Sequence, residues 1–294
     1  MSDVDTGVIA VTGAGGRVGR LVAARLSDRG VAPRLLARNP ARLPDLPGTV
    51  KAPAAEYGDR AGMRAALDGA DALLLVSAHE SPARVAEHRA AVDAAVAAGV
   101  GRIVYLSFQG AGPDATFTLA RDHWHTEQYI RAQDGLGFTF LRDGWYLAGI
   151  PAMTGSDGIL RGPAGNGRVA AVAHEDVADV AAAVLLAPGE HDGATYDVTG
   201  GEAFTLAEAA EELSRATGRT IRYLPETRDE AYASRAGSGA PDWQVEAWVT
   251  SYEAIGRGEL GAVSDTVPRL TGHTPMTLRD FLAEHPRSCA HLTG

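Results

Sequence analysis

Short apolar runs alternate with longer amphipathic stretches along the first half of the chain. A continuous apolar run such as 72–76 is typical of a strand that is buried on both faces of a parallel sheet. Between the runs, apolar residues recur at helical spacing, as in the alanine-rich stretch 83–98 that ends at Gly99. The strands predicted in this way cover 8–11, 34–37, 49–52, 72–76, 102–106 and 138–141. Because strands and helices alternate, we expect an α/β fold with a doubly wound parallel sheet.

The alternation stops after Tyr146. A helical pattern runs to Leu186, and a further strand is predicted at 196–199. Thr205 and Glu208 have the spacing of a capping box that opens another helix, and the stretch 228–285 is mostly helical in pattern. We therefore expect a sheet domain over 1–150 and a smaller α/β region over 151–294, some of whose segments return to the sheet.

Composition narrows the class of protein. The chain has 294 residues, of which 45% are apolar and 22% charged, as is ordinary for a globular protein. A formal net charge of −10 without a basic block argues against a nucleic-acid partner. Cys289 is the single cysteine, which excludes an intrachain disulfide, and no His, Cys and carboxylate set has metal-ligand spacing, so we expect no metal. Because no apolar run could span a membrane and the acidic N-terminus does not resemble a signal peptide, we expect a cytoplasmic protein without membrane contact.

The turn after the first strand carries the clearest chemistry. Residues 12–19 read TGAGGRVG, between a β-branched strand and an amphipathic helix. Gly13 permits a tight turn, Gly16 lets a pyrophosphate approach the backbone, and Gly19 lets the helix pack close to the sheet. Free N–H groups at the helix start attract the anion, so we predict a dinucleotide site, with a flexible loop as the alternative. The predicted contact residues of this turn are Thr12, Gly13, Gly15, Gly16, Arg17, Val18 and Gly19.

The end of the second strand indicates which dinucleotide binds. An acid there holds the ribose hydroxyl of NAD, whereas an arginine accommodates the additional phosphate of NADP. The sequence has Arg38 and Arg42 at this point and no acid before Asp45. We therefore expect NADPH, with two solvated loop arginines as the alternative. Ser77 and Ala78 follow the fourth strand, at the edge where such sheets bind ligands, and are also expected at the cofactor.

Several phrases of the sequence carry a family resemblance. The spacing Gly13-x-x-Gly16-x-x-Gly19 after Thr12 resembles the short-chain dehydrogenase/reductase superfamily. A narrower resemblance is carried by TGAGGRVG, LLARNPAR, LLLVSA, AGVGRIVYLS, HWHTEQYI, FLRDGWYL, VAHEDVADVAAAVL and TGHTPMTLRDFL. In these phrases the chain resembles the NmrA-like, atypical branch of the superfamily, and most of all its bacterial NAD(P)H:quinone oxidoreductases and triphenylmethane reductases. The resemblance implies a Rossmann NAD(P)-binding domain over 1–150 and a substrate-binding lid over 151–294.

The resemblance also implies roles for single residues. In the superfamily the acid after the third strand contacts the adenine, which points to Asp59, and the alternative is a helix N-cap at that residue. Ser107 and Arg142 lie at the tips of the fifth and sixth strands and are expected at the cofactor. Asp143 stands where the quinone reductases tend to carry asparagine.

The usual proton donor of the superfamily is missing. Ordinary members protonate a ketone oxygen with a tyrosine assisted by a lysine four residues on, and counting back from Glu127 places this pair at Leu119 and His123. Hydride transfer to an isolated ketone gives a strongly basic alkoxide, so a positioned acid contributes typically about 10²–10⁴ in rate. A quinone or a triarylmethyl cation needs mainly orientation and a closed apolar pocket. The sequence therefore favours an electron-poor conjugated acceptor.

Two side chains are candidates for a catalytic role. His123 has an unperturbed pKa near neutrality and could donate a proton, the alternative being a histidine packed beside the cofactor ribose. Tyr146, with Trp145, is expected in the wall of the substrate pocket and is the second candidate donor, while ordinary core aromatics are the alternative; His125 is expected at the surface. We expect an NADPH-dependent reductase of a small conjugated acceptor, and a homodimer is a possible assembly. The alternatives are a tailoring reductase of an aromatic secondary metabolite and a regulator that senses NADP without turnover.

Overall fold

The predicted alternation of strands and helices is present in the computed structural model, which describes residues 7–53 and 55–293. The elements of the first half, in chain order, are β1 (Ile9–Val11), α1 (Arg17–Asp28), β2 (Arg34–Leu35), β3 (Val50–Lys51), α2 (Arg60–Leu67), β4 (Ala72–Leu75), α3 (Arg84–Ala97), β5 (Arg102–Phe108), α4 (Thr118–Arg131) and β6 (Gly137–Asp143). Those of the second half are α5 (Gly149–Met153), β7 (Ile159–Gly162), β8 (Arg168–Val169), α6 (His174–Leu186), β9 (Thr195–Val198), β10 (Phe204–Thr205), α7 (Leu206–Thr217), β11 (Arg222–Pro225), α8 (Arg228–Arg235), α9 (Asp242–Gly256), α10 (Thr266–Thr271) and α11 (Leu278–Glu284). Short 3₁₀ turns lie at Pro40–Arg42, Ala236–Ser238 and Pro286–Cys289.

Seven strands form the large sheet, in the order β3-β2-β1-β4-β5-β6-β9. β1 lies between β2 and β4, β2 also pairs with β3 and β4 with β5, and all of these pairings are parallel. With the helices that flank it, the sheet has the doubly wound arrangement, and the predicted fold class is confirmed. The loops after β1, β2 and β4 therefore all begin at the same end of the sheet, the carboxyl ends of its parallel strands, which is where ligands bind in this fold.

Alternate residues of the central strands form a core under one face of the sheet. Leu73 and Leu75 of β4 share this core with Ile103 and Tyr105 of β5, because every second side chain of a strand points to the same face. They pack against buried residues of α2 and α3, including Met63. All residues of β5 are buried, as expected for a strand covered on both faces. This packing holds the strand ends, and hence the ligand-binding edge, in place.

The helix start predicted at Thr205 is confirmed. The Thr205 hydroxyl accepts a hydrogen bond from the N–H of Glu208, and the Glu208 carboxylate accepts one from the N–H of Thr205. The same reciprocal capping box opens α8 and α11. These three helix starts thus follow from local sequence.

Two compact units alternate along the chain. The first consists of the described residues up to Phe108, Asp122–Arg142 and Val177–Asp197, and the second of Gln109–Arg121, Asp143–Asp176 and the described residues from Val198 onward. The chain therefore passes between the units several times. Two small sheets, β7 with β11 and β8 with β10, lie in the second unit. Among the described residues, no helix is both long enough and apolar enough to cross a membrane.

Candidate functional site

The glycine turn joins β1 to α1 and is tied to the neighbouring strand β4. Gly13 has φ +60°, a left-handed conformation that glycine adopts without strain. The Thr12 hydroxyl donates to the Leu74 carbonyl oxygen at 3.0 Å and accepts from the Val76 N–H at 2.9 Å. The N–H of Gly16 donates to the Gly13 carbonyl at 2.8 Å and closes the turn. The turn is therefore tied to β4 by the side chain of Thr12 and closed by its own backbone.

Gly16 and Gly19 serve different purposes. A Cβ on Gly16 would meet one atom at 3.1 Å, the carbonyl oxygen of Gly13, and would otherwise occupy the open side of the turn. A Cβ on Gly19 would lie 2.4 Å from the same oxygen and 2.9 Å from the Ala14 nitrogen. Gly19 does permit a close approach, as predicted, but the helix approaches the backbone of the turn itself. A side chain at Gly16 would enter the open side of the turn, whereas a side chain at Gly19 would clash with the backbone of the turn.

A pocket of about 570 Å³ opens beside the turn, within the size range of small-molecule sites. It lies in the first compact unit. Of the residues predicted at the cofactor, those that line it are Thr12, Gly13, Gly15, Gly16, Arg38, Arg42, Ser77 and Ala78. The glycine backbone, free volume and two guanidinium groups fit a dinucleotide with an additional phosphate. Arg17 is exposed at the start of α1, and Val18 is buried behind the turn; their predicted contacts, like those of the other residues of this site, stay predictions.

Both arginines after β2 reach this pocket. Arg38 is exposed, and Arg42 belongs to the 3₁₀ turn that Asn39 caps by accepting a hydrogen bond from the Ala41 N–H. Arg20 of α1 donates to the carbonyl oxygen of Arg42 at 2.6 Å and so fixes this turn beside the glycine turn. Within the part of the chain that the structure describes, neither Arg38 nor Arg42 has a carboxylate partner for its guanidinium group. Their charges are available to an anionic ligand.

Asp59 is a helix N-cap, as the alternative interpretation of this residue predicted. Its carboxylate accepts a hydrogen bond from the Gly62 N–H at 3.0 Å and caps α2. The neighbouring Tyr57 and Gly58 line the pocket. The Tyr57 hydroxyl lies 2.6 Å from Thr12 Oγ1 and 2.5 Å from the Val76 carbonyl oxygen, which ties the pocket wall to the turn. Sequence reasoning missed Tyr57, although an aromatic residue just after the third strand was a usable signal.

His123 is buried and both of its ring nitrogens have partners. Arg84 Nη2 donates to Nε2 at 2.9 Å, so Nδ1 carries the proton and donates to the Tyr105 hydroxyl at 2.9 Å. Burial, and then the positive charge of Arg84, hold the pKa of His123 well below its ordinary value. The ring is therefore neutral at pH 7. This geometry supports the packed histidine over the proton donor, while His125 is exposed as predicted.

Ser107 and Arg142 meet at a buried carboxylate. The Ser107 hydroxyl donates to Glu127 at 2.6 Å, and Arg142 donates to both oxygens of Glu127 at 2.8 and 2.6 Å. Glu127 is fully buried, so these bonds compensate the cost of its charge. The hydrogen bond from Arg142 to Glu127 raises the pKa of the guanidinium group. Ser107 and Arg142 are therefore both bonded to Glu127 at the strand ends, and their contact with the cofactor stays a prediction.

Tyr146 lies in the second unit, where its hydroxyl donates to the carboxylate of Asp143. Its ring stacks on His174, with centroids 3.9 Å apart and planes 8° from parallel. Burial, and then the adjacent Asp143 charge, raise the pKa of Tyr146 well above its ordinary value. A tyrosine in this environment is a weak acid at neutral pH. Trp145 is buried and packs edge-on against Tyr252, as a core aromatic does.

Comparison with known proteins identifies the family. A family model described as NAD(P)H-binding matches residues 13–188. Quinone oxidoreductase 2 of Escherichia coli is 35% identical over 283 residues, which cover 94% of this chain and 98% of that protein. A (4-alkanoyl-5-oxo-2,5-dihydrofuran-3-yl)methyl phosphate reductase of Streptomyces griseus is 38% identical over 288 residues, which cover 96% of this chain and 99% of that protein.

Solved structures agree with these matches. The NADPH-dependent quinone oxidoreductase QOR2 of E. coli, complexed with NADPH, has a TM-score of 0.84 and 33% identity, covering 94% of this chain and 99% of that one. Triphenylmethane reductase of Citrobacter, complexed with NADP(H), has a TM-score of 0.80 and 29% identity, with the same coverage. The resemblance inferred from the sequence is confirmed. The chain that forms this glycine turn and pocket belongs to the NAD(P)H-binding family.

Proposed function

We propose that the protein is an NADPH-dependent reductase that transfers hydride to a quinone or a similar conjugated acceptor. The observation that carries the choice of acceptor is the environment of its two candidate acids. His123 is neutral and hydrogen-bonded at both nitrogens, and the proton of Tyr146 is held by Asp143 with a raised pKa. Neither group is suited to protonating an alkoxide. The chemistry must therefore succeed without a strong acid.

The first unit supplies the groups that would hold the cofactor. The backbone of the turn Gly13–Gly16 faces the pocket and suits a pyrophosphate, and Arg38 and Arg42 suit the additional phosphate of NADPH. NADPH, when bound, supplies the hydride. Hydrogen bonds of Tyr57 and Val76 with Thr12 tie the pocket wall and β4 to the turn and would keep the site in shape for the cofactor.

Conjugated acceptors match this arrangement because they stabilise the added electron pair themselves. A quinone that accepts hydride becomes a phenolate-type anion, which water protonates without help from a strong acid, whereas a ketone loses about 10²–10⁴ in rate without one. The named activities of the relatives point the same way. They concern a quinone, triphenylmethane dyes and a 5-oxo-2,5-dihydrofuran, all of them conjugated. Orientation against the cofactor is then the main task of the protein.

A spectrophotometric assay tests the proposal. We expect NADPH to be consumed with a naphthoquinone, and kcat/KM for a simple aliphatic ketone to be at least about 100-fold lower, in line with the missing acid. The same assay without an acceptor is the control for slow oxidation by air. Efficient ketone reduction would refute the choice of acceptor. Tight NADPH binding with no turnover across a panel of quinones would instead indicate a sensor of the dinucleotide.

A further inference from the structure

A buried arginine and a buried histidine of α3 bind the backbone of one residue in the pocket wall, Ala78. Arg84 is the first residue of α3 and His88 lies one turn later, so both side chains project from the same face of the helix. The side chains are 5% and 0% exposed. Ala78, in the loop after β4, lies between these side chains and the nucleotide pocket that it lines.

Both polar groups of Ala78 are bound by these two side chains. The Ala78 N–H donates to His88 Nε2 at 2.8 Å, and its carbonyl oxygen accepts from Arg84 Nε at 3.1 Å. Buried backbone groups need such partners, and in a loop they have no ladder neighbour to supply them. Because Nε2 of His88 accepts, its Nδ1 carries the proton and donates to Thr126 Oγ1 at 2.9 Å. The histidine is thereby held in one tautomer and one orientation.

The guanidinium group of Arg84 connects the carbonyl group of Ala78 to α4. While Nε bonds to Ala78, Nη2 donates to Nε2 of His123 at 2.9 Å, and Nη1 lies 3.9 Å from the carboxylate of Asp122. A planar fork with separate donors can hold both partners at fixed geometry, which a lysine ammonium cannot. A charge buried this deeply costs free energy unless its partners are held at good geometry, so the bonds of Arg84 indicate a role in fixing the position of those partners.

We propose that Arg84 and His88 are positioning residues that fix the backbone on both sides of Ala78 and thereby hold Ser77 and His79 against the bound NADPH. The inference rests on the cofactor of the proposed function. Ser77 and His79 flank Ala78 and also line the pocket. Since the N–H and carbonyl of Ala78 are already bonded, the polar contacts of this loop with the cofactor fall to its neighbours. Ala78 would then contribute to the predicted cofactor site as part of the pocket wall and not through hydrogen bonds of its backbone.

NADPH binding without an acceptor tests the inference, with fluorescence titration as the readout. Leaving the Ala78 N–H unpaired in His88→Leu, or its carbonyl in Arg84→Met, should raise the Kd for NADPH about tenfold or more. His88→Gln keeps an acceptor for the N–H and should stay within about threefold of the wild type. In steady state with a quinone, the KM for NADPH should rise more than kcat falls.

Arg102→Met is the matched control. Arg102 is also a buried arginine, and it donates hydrogen bonds to Thr139 and to the Val184 carbonyl oxygen. It is the first residue of β5, at the end of the strand that lies away from the pocket. Its loss should lower stability in urea and leave the Kd for NADPH within about twofold, because no pocket residue is released.

Equal weakening in Arg102→Met and His88→Leu would overturn the inference, since general loosening would then explain both. A folded His88→Leu protein with the wild-type Kd would overturn it as well, and this variant decides the question if Arg84→Met does not fold. A wild-type protein that binds NADPH but reduces no quinone would refute the proposed acceptor while leaving this comparison intact. Absence of NADPH binding by the wild type would refute the proposed cofactor, and the inference with it.

Discussion

Replacing Gly16 by valine should separate cofactor binding from folding. The backbone at Gly16 is extended, with φ −90° and ψ −176°, a conformation that valine also adopts. The new Cβ would meet one backbone atom at 3.1 Å, a contact that a shift of a few tenths of an ångström relieves. We expect a loss of about 1–2 kcal/mol in the free energy of unfolding, typical of modest overpacking. The variant should remain folded at room temperature.

Binding should suffer far more than folding. The branched methyl groups would stand on the open side of the turn, beside the pocket that Gly13, Gly15 and Gly16 line and where the proposed pyrophosphate would lie. A hydrogen bond to a charged group contributes about 1.5–3 kcal/mol, so losing two such bonds to a phosphate weakens binding at least about 100-fold. Gly16→Ala, with one methyl group, should fall between the wild type and Gly16→Val.

The assay pairs NADPH fluorescence titration with urea denaturation of each variant. Gly19→Ala is the structural counterpart, since its Cβ would lie 2.4 Å from a backbone oxygen and the fold itself must shift. It should lose stability first and binding as a consequence. Gly237→Ala, where a Cβ meets nothing within 4 Å, controls for the substitution of glycine as such. A folded Gly16→Val protein that binds NADPH as the wild type does would refute the placement of the pyrophosphate at this turn.

Three further outcomes are expected. Arg38→Ala should raise the Kd for NADPH about tenfold and leave the Kd for NADH within about twofold, because an exposed guanidinium–phosphate pair contributes roughly 1.4 kcal/mol. Arg64, an exposed arginine on α2 that does not line the pocket, provides the control variant Arg64→Ala. Equal loss of affinity for both cofactors in Arg38→Ala would contradict the assignment. The free energy of unfolding should decrease as the pH falls below about 6.5, by up to roughly 1.4 kcal/mol per pH unit for each of His88 and His123. The reason is that burial holds the pKa values of both histidines low in the folded state, so the unfolded chain binds protons first. Urea titrations at several pH values check this, and a free energy that does not change with pH would count against it. Quinone kcat/KM should vary little between about pH 6 and 8 in both the wild type and His123→Gln, and a titration near neutrality that disappears in the variant would restore His123 as the proton donor.

Local sequence predicted the parts of this protein that local forces determine. The apolar run before Thr12, the tight turn at Gly13 and the capping box at Thr205 each depend on a few neighbouring residues, and each is present. The pocket-lining positions of Arg38 and Ser77 follow from their places at strand ends, since parallel strands end at one edge of a sheet.

The environment of His123 could not be predicted in this way. Its pKa is lowered by burial first and by the charge of Arg84 next, and its tautomer follows from the hydrogen bonds with Arg84 and Tyr105. These partners lie far from it in sequence and meet it only when α3, α4 and β5 pack together. An unperturbed pKa was the wrong starting point for a ring that becomes fully desolvated. Asp59 presents a different difficulty. An adenine contact and a helix N-cap both place an acid at the start of this helix, so sequence spacing alone does not separate the two interpretations.

The place of β9 in the large sheet has a consequence for synthesis of the protein on the ribosome. β9 pairs with β6 at the sheet edge, where the Gly193 N–H donates to the Phe138 carbonyl oxygen and the Phe140 N–H to that of Ala194. β6 ends at Asp143 and β9 at Val198, so at about 5–20 residues per second a nascent chain carries an unpaired edge for several seconds. Exposed strand edges recruit other strands. Nascent chains arrested before β9 should accordingly bind a general chaperone more strongly than chains extended past it, so the order of synthesis exposes this sheet to aggregation until its last strand emerges.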